Sequence, residues 1–276
     1  MRLITTHKHL FLRRLLQVSL LLLFVAGNLY GWQMLQGNFS SSRLFGAIPL
    51  ADPFALLQIL ATRTMVSTQA LLGGGVVLLF FALIAGRAFC GWICPVNMVS
   101  DLANVVGQRI SGSIPLREMS KNVRYWVMGL SLVLSSALGV AAFEWISPIG
   151  ALHRGAVFGM GMGWTLFASV FLFDAFVVRN GFCGHLCPLG AFYSLIGRFS
   201  ALRVLHICDR CTRCMRCIEN CPEPQVLTLI GKQDGAVTSG ECTNCGRCID
   251  VCPEKAMRFW LRNFMASSST RKEGMS

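Results

Sequence analysis

Two runs of cysteine carry the plainest chemistry in the sequence. Cys211, Cys214, Cys217 and Cys221 follow C-x2-C-x2-C-x3-C, closed by Pro222, and Cys242, Cys245, Cys248 and Cys252 repeat the pattern, closed by Pro253. Three closely spaced thiolates can wrap three corners of an iron–sulfur cubane, while the fourth, set apart by a turn that proline ends, reaches the neighbouring cluster. The spacing assigns Cys211, Cys214, Cys217 and Cys252 to one [4Fe–4S] centre, and Cys242, Cys245, Cys248 and Cys221 to the other. Structural zinc would leave the x3-C-P element unexplained, and disulfides would need an oxidising compartment. Cys208 stands one x2 step before the first run, but a register starting there abandons the x3-C-P geometry, so it reads as a spare thiol.

A second constellation lies upstream. Cys90-Gly91-Trp92-Ile93-Cys94-Pro95 recurs as Cys183-Gly184-His185-Leu186-Cys187-Pro188, and each copy sets two thiols one helical turn apart. If the copies pack as a pseudo-symmetric pair, all four sulfurs converge, as a further metal centre or a dithiol relay would need. The plain alternative is cysteines packed at a helix end. His185 is a candidate ligand or hydrogen-bond partner inside the second copy.

The elements that must hold these residues divide the chain. It has 276 residues, 54% hydrophobic and 14% charged, and nine of its thirteen cysteines fall at 208–252, so a wholly soluble protein is excluded and a membrane part precedes a small cysteine-rich part. Stretches 15–35, 66–86, 125–146 and 156–178 are each long and apolar enough to cross a bilayer as helices. Arg2, Lys8, Arg13 and Arg14 before the first, and Arg87, Arg109, Arg117, Lys121 and Arg124 between the second and third, outnumber Arg43, Arg63 and Arg154 in the opposite loops. Both termini and the clusters are therefore expected on the cytoplasmic side of a multi-pass inner-membrane protein. The formal charge of +12 lies beside apolar segments and forms no single stripe, which speaks for a membrane face and against nucleic acid.

The Arg13-Arg14 pair before an apolar run invites an export reading, but the run is long and three more spans follow. Small residues, Gly27 with Gly31, Gly73 to Gly75 and Gly159 with Gly163, are expected to let helices approach. The expected fold is four transmembrane helices in two repeated hairpins over residues 1–206, with 180–206 along the inner surface. An α+β domain of the bacterial 2[4Fe–4S] ferredoxin type follows over 207–262, with strands near 226–230 and 235–240, and a disordered tail over 263–276.

Four spans, a C-x3-C-P motif after each hairpin, and two C-terminal cysteine runs resemble the NapH-type membrane ferredoxins of periplasmic nitrate reductase systems. "CPEPQVL" at 221–227 and "CTNCGRCIDVCPE" at 242–254 carry the likeness most specifically. The resemblance implies an electron-transfer subunit with a quinol dehydrogenase role, drawing on the quinone pool. It also implies a NapG-type ferredoxin partner and periplasmic nitrate reductase as the destination. Glu144, His153 and Asp174, ionisable groups at or near the ends of spans, are then the candidates for quinol chemistry. An assembly or maturation factor for a respiratory metalloenzyme is the alternative of another class.

Overall fold

The computed structural model describes residues 8–32, 34–111, 119–158 and 163–262. Its first helix, α1 (Lys8–Leu29), buries Arg13, Gln17, Phe24 and Gly27, a single stripe at helical spacing. Leu12, Leu15 and Leu22 on the rest of its surface are more than half exposed. Polar groups inside and leucines outside invert the soluble pattern, as a helix solvated by lipid requires.

An antiparallel meander follows, β1 (Leu35–Gly37), β2 (Ser41–Leu44) and β3 (Ile48–Ala51), in that order. It rests on the apolar helices at glycines: a Cβ on Gly27 would meet the Leu35 carbonyl at 2.0 Å, and one on Gly73 the Pro49 carbonyl at 2.7 Å. Gly27 and Gly73 therefore admit strand backbone, where helix–helix contact was expected.

Two halves then use the same parts. In the first, α2 (Pro53–Ala61) is capped by Asp52, and α3 (Thr68–Phe80) runs on as π-helix to Ala85. A π-helical turn at Phe89–Ile93 and α4 (Val96–Ser111) complete it. Between the halves come α5 (Val123–Leu138) and the short α6 (Ala142–Ile146). The second half has α7 (Pro148–Phe158), α8 (Gly163–Phe176), a π-helical turn at Phe182–Leu186 and α9 (Pro188–Ile196). Proline opens α2, α7 and α9 because the first turn has no use for the missing N–H.

Residues Lys8–Leu29 and Thr68–Ala85 form helices long and apolar enough to cross a membrane. Helices α5 and α8 are apolar but have 16 and 14 residues, a rise of about 24 and 21 Å against a hydrocarbon layer of about 30 Å. The expected third span stops at Gly139, a left-handed cap with φ 69°, because that conformation ends the helical hydrogen-bond ladder. Of the expected fourth span, residues 159–162 lie outside the described residues, as do Gly159, Arg2, Arg117 and the tail 263–276. Two full-length apolar helices and two shorter ones thus occupy the places of the four expected spans.

The cysteine-rich part contains β4 (Leu202–His206), α10 (Arg216–Glu219), β5 (Gly235–Ala236), α11 (Arg247–Asp250) and β6 (Met257–Leu261). The sheet order is β5-β4-β6, antiparallel, with Leu202 opposite Leu261 and His206 opposite Met257. Since β4 is its central strand, this part begins near residue 202, and a boundary at 206/207 would divide the sheet. Residues 226–230, expected as a strand, are instead turns of the i to i−3 kind that follow Pro224, with Val226, Leu227 and Ile230 buried. A five-residue apolar run does not by itself separate a strand from a buried turn. The stretch 180–206, expected along the inner face of the membrane, supplies the buried side chains Leu189, Ala191 and Tyr193 of α9 on its packed side.

Candidate iron–sulfur and thiol sites

Each cysteine run is coiled by residues in the left-handed conformation. Arg213 and Met215 have φ of 55° and 58° in the first run, and Asn244 and Gly246 have 48° and 75° at the matching places in the second. Left-handed residues turn the chain back on itself, so that successive cysteines face one centre instead of alternating. Asn and Gly adopt this conformation readily; Arg and Met pay on the order of 1 kcal/mol each.

The product is two small cavities, each walled by four cysteines. Cys211, Cys214, Cys217 and Cys252 line the first, and Cys221, Cys242, Cys245 and Cys248 the second. Each cavity therefore takes three thiols from one run and one from the other. Among the described residues no three His, Cys, Asp or Glu side chains are close enough to hold a single metal ion, whereas a cubane keeps its four ligand sulfurs apart around an Fe4S4 body. Burial pushes the Cys242 thiol up to about 11, and raises Cys217, Cys221 and Cys248 as well. Four such thiols become thiolates only when cations compensate them, which is what bound iron supplies. The donor sets fit a [4Fe–4S] cluster in each cavity. Cys208 lines neither cavity; its backbone N–H is capped by Asp234.

The upstream thiols gather by helix packing. Cys94 and Cys187 are buried in a core that includes Phe81, Phe89 and Tyr193, with Cys90 and Cys183 packed against it. Both Cys94 and Cys187 leave the π-helical turns in extended conformation just before proline, which disfavours helix in the residue before it. Burial is the main cause that pushes Cys187 up to about 12, with Cys90 adding to it, and it raises Cys90, Cys94 and Cys183 too. The Ser100 hydroxyl lies 3.3 Å from the Cys183 sulfur.

A polar joint fixes the second cavity against the first C-x3-C-P turn. A Cβ on Gly91 would lie 3.0 Å from the Thr243 carbonyl and 3.5 Å from the Cys245 Cβ, so only glycine at 91 lets the two loops meet this closely. Trp92 Nε1 donates to the Asn244 carbonyl at 2.9 Å, and Arg13 Nε to the Gly91 carbonyl at 2.7 Å. Glu223, one residue beyond Pro222, is buried and receives Arg87 at 2.8 Å, Lys121 at 2.9 Å and Arg124 at 3.2 Å. Burial alone would raise its carboxyl; Arg87, Lys121 and Arg124 overrule it and hold the group at about 2. Arg87 also donates to the Cys183 carbonyl at 3.0 Å, tying both C-x3-C-P copies to the cysteine-rich part. Arg124 pairs with Glu241 as well.

Glu144, His153 and Asp174 are not brought to one place. Glu144 accepts from the Ser40 hydroxyl at 2.6 Å. His153 is buried between the Phe24 and Phe39 rings, with Asn28 at 3.4 Å. Both lie at the end of the molecule that carries the β1–β3 meander. Asp174 is buried at the other end, where it accepts from the Phe182 N–H at 2.8 Å. His185 is buried inside the second copy, its Nδ1 without a partner among the described residues.

Sequence reasoning missed Asp52, buried at the start of α2 with the Tyr193 hydroxyl at 3.5 Å. Burial first, then the nearby Glu144, pushes its carboxyl up to about 7. Tyr193 in turn stacks on Phe89 at 5.1 Å between ring centres. The only available signal was Asp52-Pro53, a helix-start pair that also satisfies an ordinary cap.

Comparison with known proteins agrees with this division. A family described as a 4Fe-4S binding domain matches twice, at residues 68–113 and 160–205, and one described as a 4Fe-4S dicluster domain matches residues 210–258. The chain is 43% identical to the methylamine utilization ferredoxin-type protein MauN of Methylorubrum extorquens, over 87% of this chain and 84% of that one. It is 42% identical to the ferredoxin-type protein NapH of Haemophilus influenzae, over 83% and 80%. Against NapH of Escherichia coli it is 42% identical, over 80% and 77%. No solved structure matches the chain.

Proposed function

The chain belongs to the family of ferredoxin-type iron–sulfur proteins that includes NapH and MauN, and on that premise we propose that it is a membrane-embedded quinol-oxidising electron-transfer subunit. The observation that carries this reading is the pair of four-cysteine cavities, one of them pressed against a helical part whose exposed surface is apolar. In this reading Cys211, Cys214, Cys217 and Cys252 hold one [4Fe–4S] cluster, and Cys242, Cys245, Cys248 and Cys221 the other. Such clusters are one-electron carriers, which suits passage from a two-electron donor to a chain of single-electron acceptors. The residues of the chain place them. Gly91, Trp92 and the Arg87–Glu223 pair keep the second cavity at the helical part. Cys214, on the first, is exposed and offers the face that a partner ferredoxin would reach. Cys90, Cys94, Cys183 and Cys187 stay as packed thiols in the helical core, and both termini lie on the cytoplasmic side.

The destination has two readings. The resemblance to NapH points to a NapG-type partner and periplasmic nitrate reductase. Equal similarity to a methylamine utilization protein supports methylamine utilization as the other. Deleting the gene decides between them: loss of quinol-dependent nitrate reduction, with the reductase still active on artificial donors, is the expected result, and loss of growth on methylamine alone would replace nitrate as the destination. For the core of the proposal, the purified protein should hold about eight irons, and a quinol should bleach its visible absorbance. Intact clusters that no quinol reduces would sink the dehydrogenase reading.

A further inference from the structure

A cavity of about 700 Å³ opens where α1, α4 and the cysteine-rich part meet, within the size range of small-ligand sites. Leu10 and Arg14 of α1 form one wall, Leu102, Val105 and Gln108 of α4 a second, and Arg247 and Val251 a third. Arg247 precedes Cys248 and Val251 precedes Cys252, and those two cysteines face different four-cysteine cavities. The third wall therefore stands one residue from a thiol of each.

The polar groups in the cavity identify the class of ligand. Most of its charged groups have partners: Asp101 pairs with both Arg14 and Arg247, Asp250 pairs with His9, and the exposed Arg179 donates to the Glu219 carbonyl at 2.8 Å. Arg14 and Arg247 are therefore not free for an anionic headgroup. Gln108 lines the cavity with an exposed carboxamide, a neutral donor and acceptor. Leu102 and Val105 are 59% and 49% exposed, so the cavity continues onto an apolar surface from which a lipid-soluble molecule can enter. Neutral, flat, carrying oxygens that accept hydrogen bonds and an apolar tail describes a quinone.

We propose that this cavity binds the head group of the quinol, with the Gln108 amide donating to a ring oxygen and the tail leaving past Leu102 and Val105. The assignment rests on the quinol-oxidising reading above. It places the donor at the cluster end of the molecule, not beside Asp52, Glu144 and His153 at the other.

The test uses the full cluster-loaded chain in detergent and an azido-substituted short-chain quinone as probe. After illumination, mass spectrometry should find the label within 98–108 or 247–251. Val105→Trp, which fills the cavity from its lipid side, should weaken binding of a hydroxyquinoline N-oxide quinol analogue about tenfold or more at unchanged iron content. Gln108→Leu should weaken it up to about tenfold, the size of one lost hydrogen bond. Label near Asp52 or His153, with quinol still reducing the clusters, overturns this site and leaves the quinol reading standing. A probe that neither binds nor labels, in protein whose clusters no quinol reduces, overturns both. If Val105→Trp loses iron, the position of the label in the unsubstituted chain decides alone.

Discussion

The molecule gathers cysteines in two places and by two means. In the C-terminal part, thiols three residues apart are swung to a common centre by left-handed residues, and the result is a pair of small cavities. In the helical part, thiols from two copies of a motif meet because helices pack, and they sit among Phe81, Phe89 and Tyr193 in a filled core. The first arrangement leaves room for an inorganic body that then holds the loops together; the second is already held together by aromatic packing. Structural metal replaces a hydrophobic core where a domain is too small to build one.

That contrast can be broken most severely in the C-terminal part. Cys245→Ala should remove the second cluster and with it much of the core that Cys217, Cys248 and their neighbours form, leaving about four irons or fewer where about eight are expected. Retention of the full complement would show that the cavities are not cluster sites.

The next largest effect is expected at the joint. Arg87→Gln leaves Glu223 buried with Lys121 and Arg124 only. Breaking a buried ion pair costs about 3–5 kcal/mol, and the two remaining partners put the loss at the lower end of that range. The C-terminal part should become sensitive to limited proteolysis while its clusters persist; unchanged resistance would mean that the other contacts suffice. The smallest effect on metal belongs to the helical part. Cys94→Ala with Cys187→Ala should leave both the iron count and reduction by quinol unchanged. A fall of about four irons would instead make these thiols a third cluster site.

Legibility followed the range of the interactions. The cysteine runs, the duplicated C-x3-C-P motif and the apolar character of 15–35 and 66–86 could be read directly, because each depends on residues close in sequence. The same local view misplaced other elements. Residues 226–230 were as apolar as a strand, yet the strand's place beside β6 is filled by Leu202–His206. Which of two apolar segments enters a sheet is decided by a partner 55 residues away in the sequence, Phe259 for Val204 at the centre of the pairing. The β1–β3 meander passed unnoticed because its strands have three or four residues each, too short for alternation to register.

By itself, then, the sequence determined which cysteines share a register and that most of the chain avoids water, since ligand spacing and mean apolarity are properties of short windows. Tertiary structure alone decided that Glu223 would meet Arg87, that Asp52 would be buried beside Tyr193, and that Arg247 would stand at the wall of a cavity. Those outcomes require segments far apart along the chain to be packed together, and burial, which sets the cost of every charge and unpaired N–H, exists only after that packing.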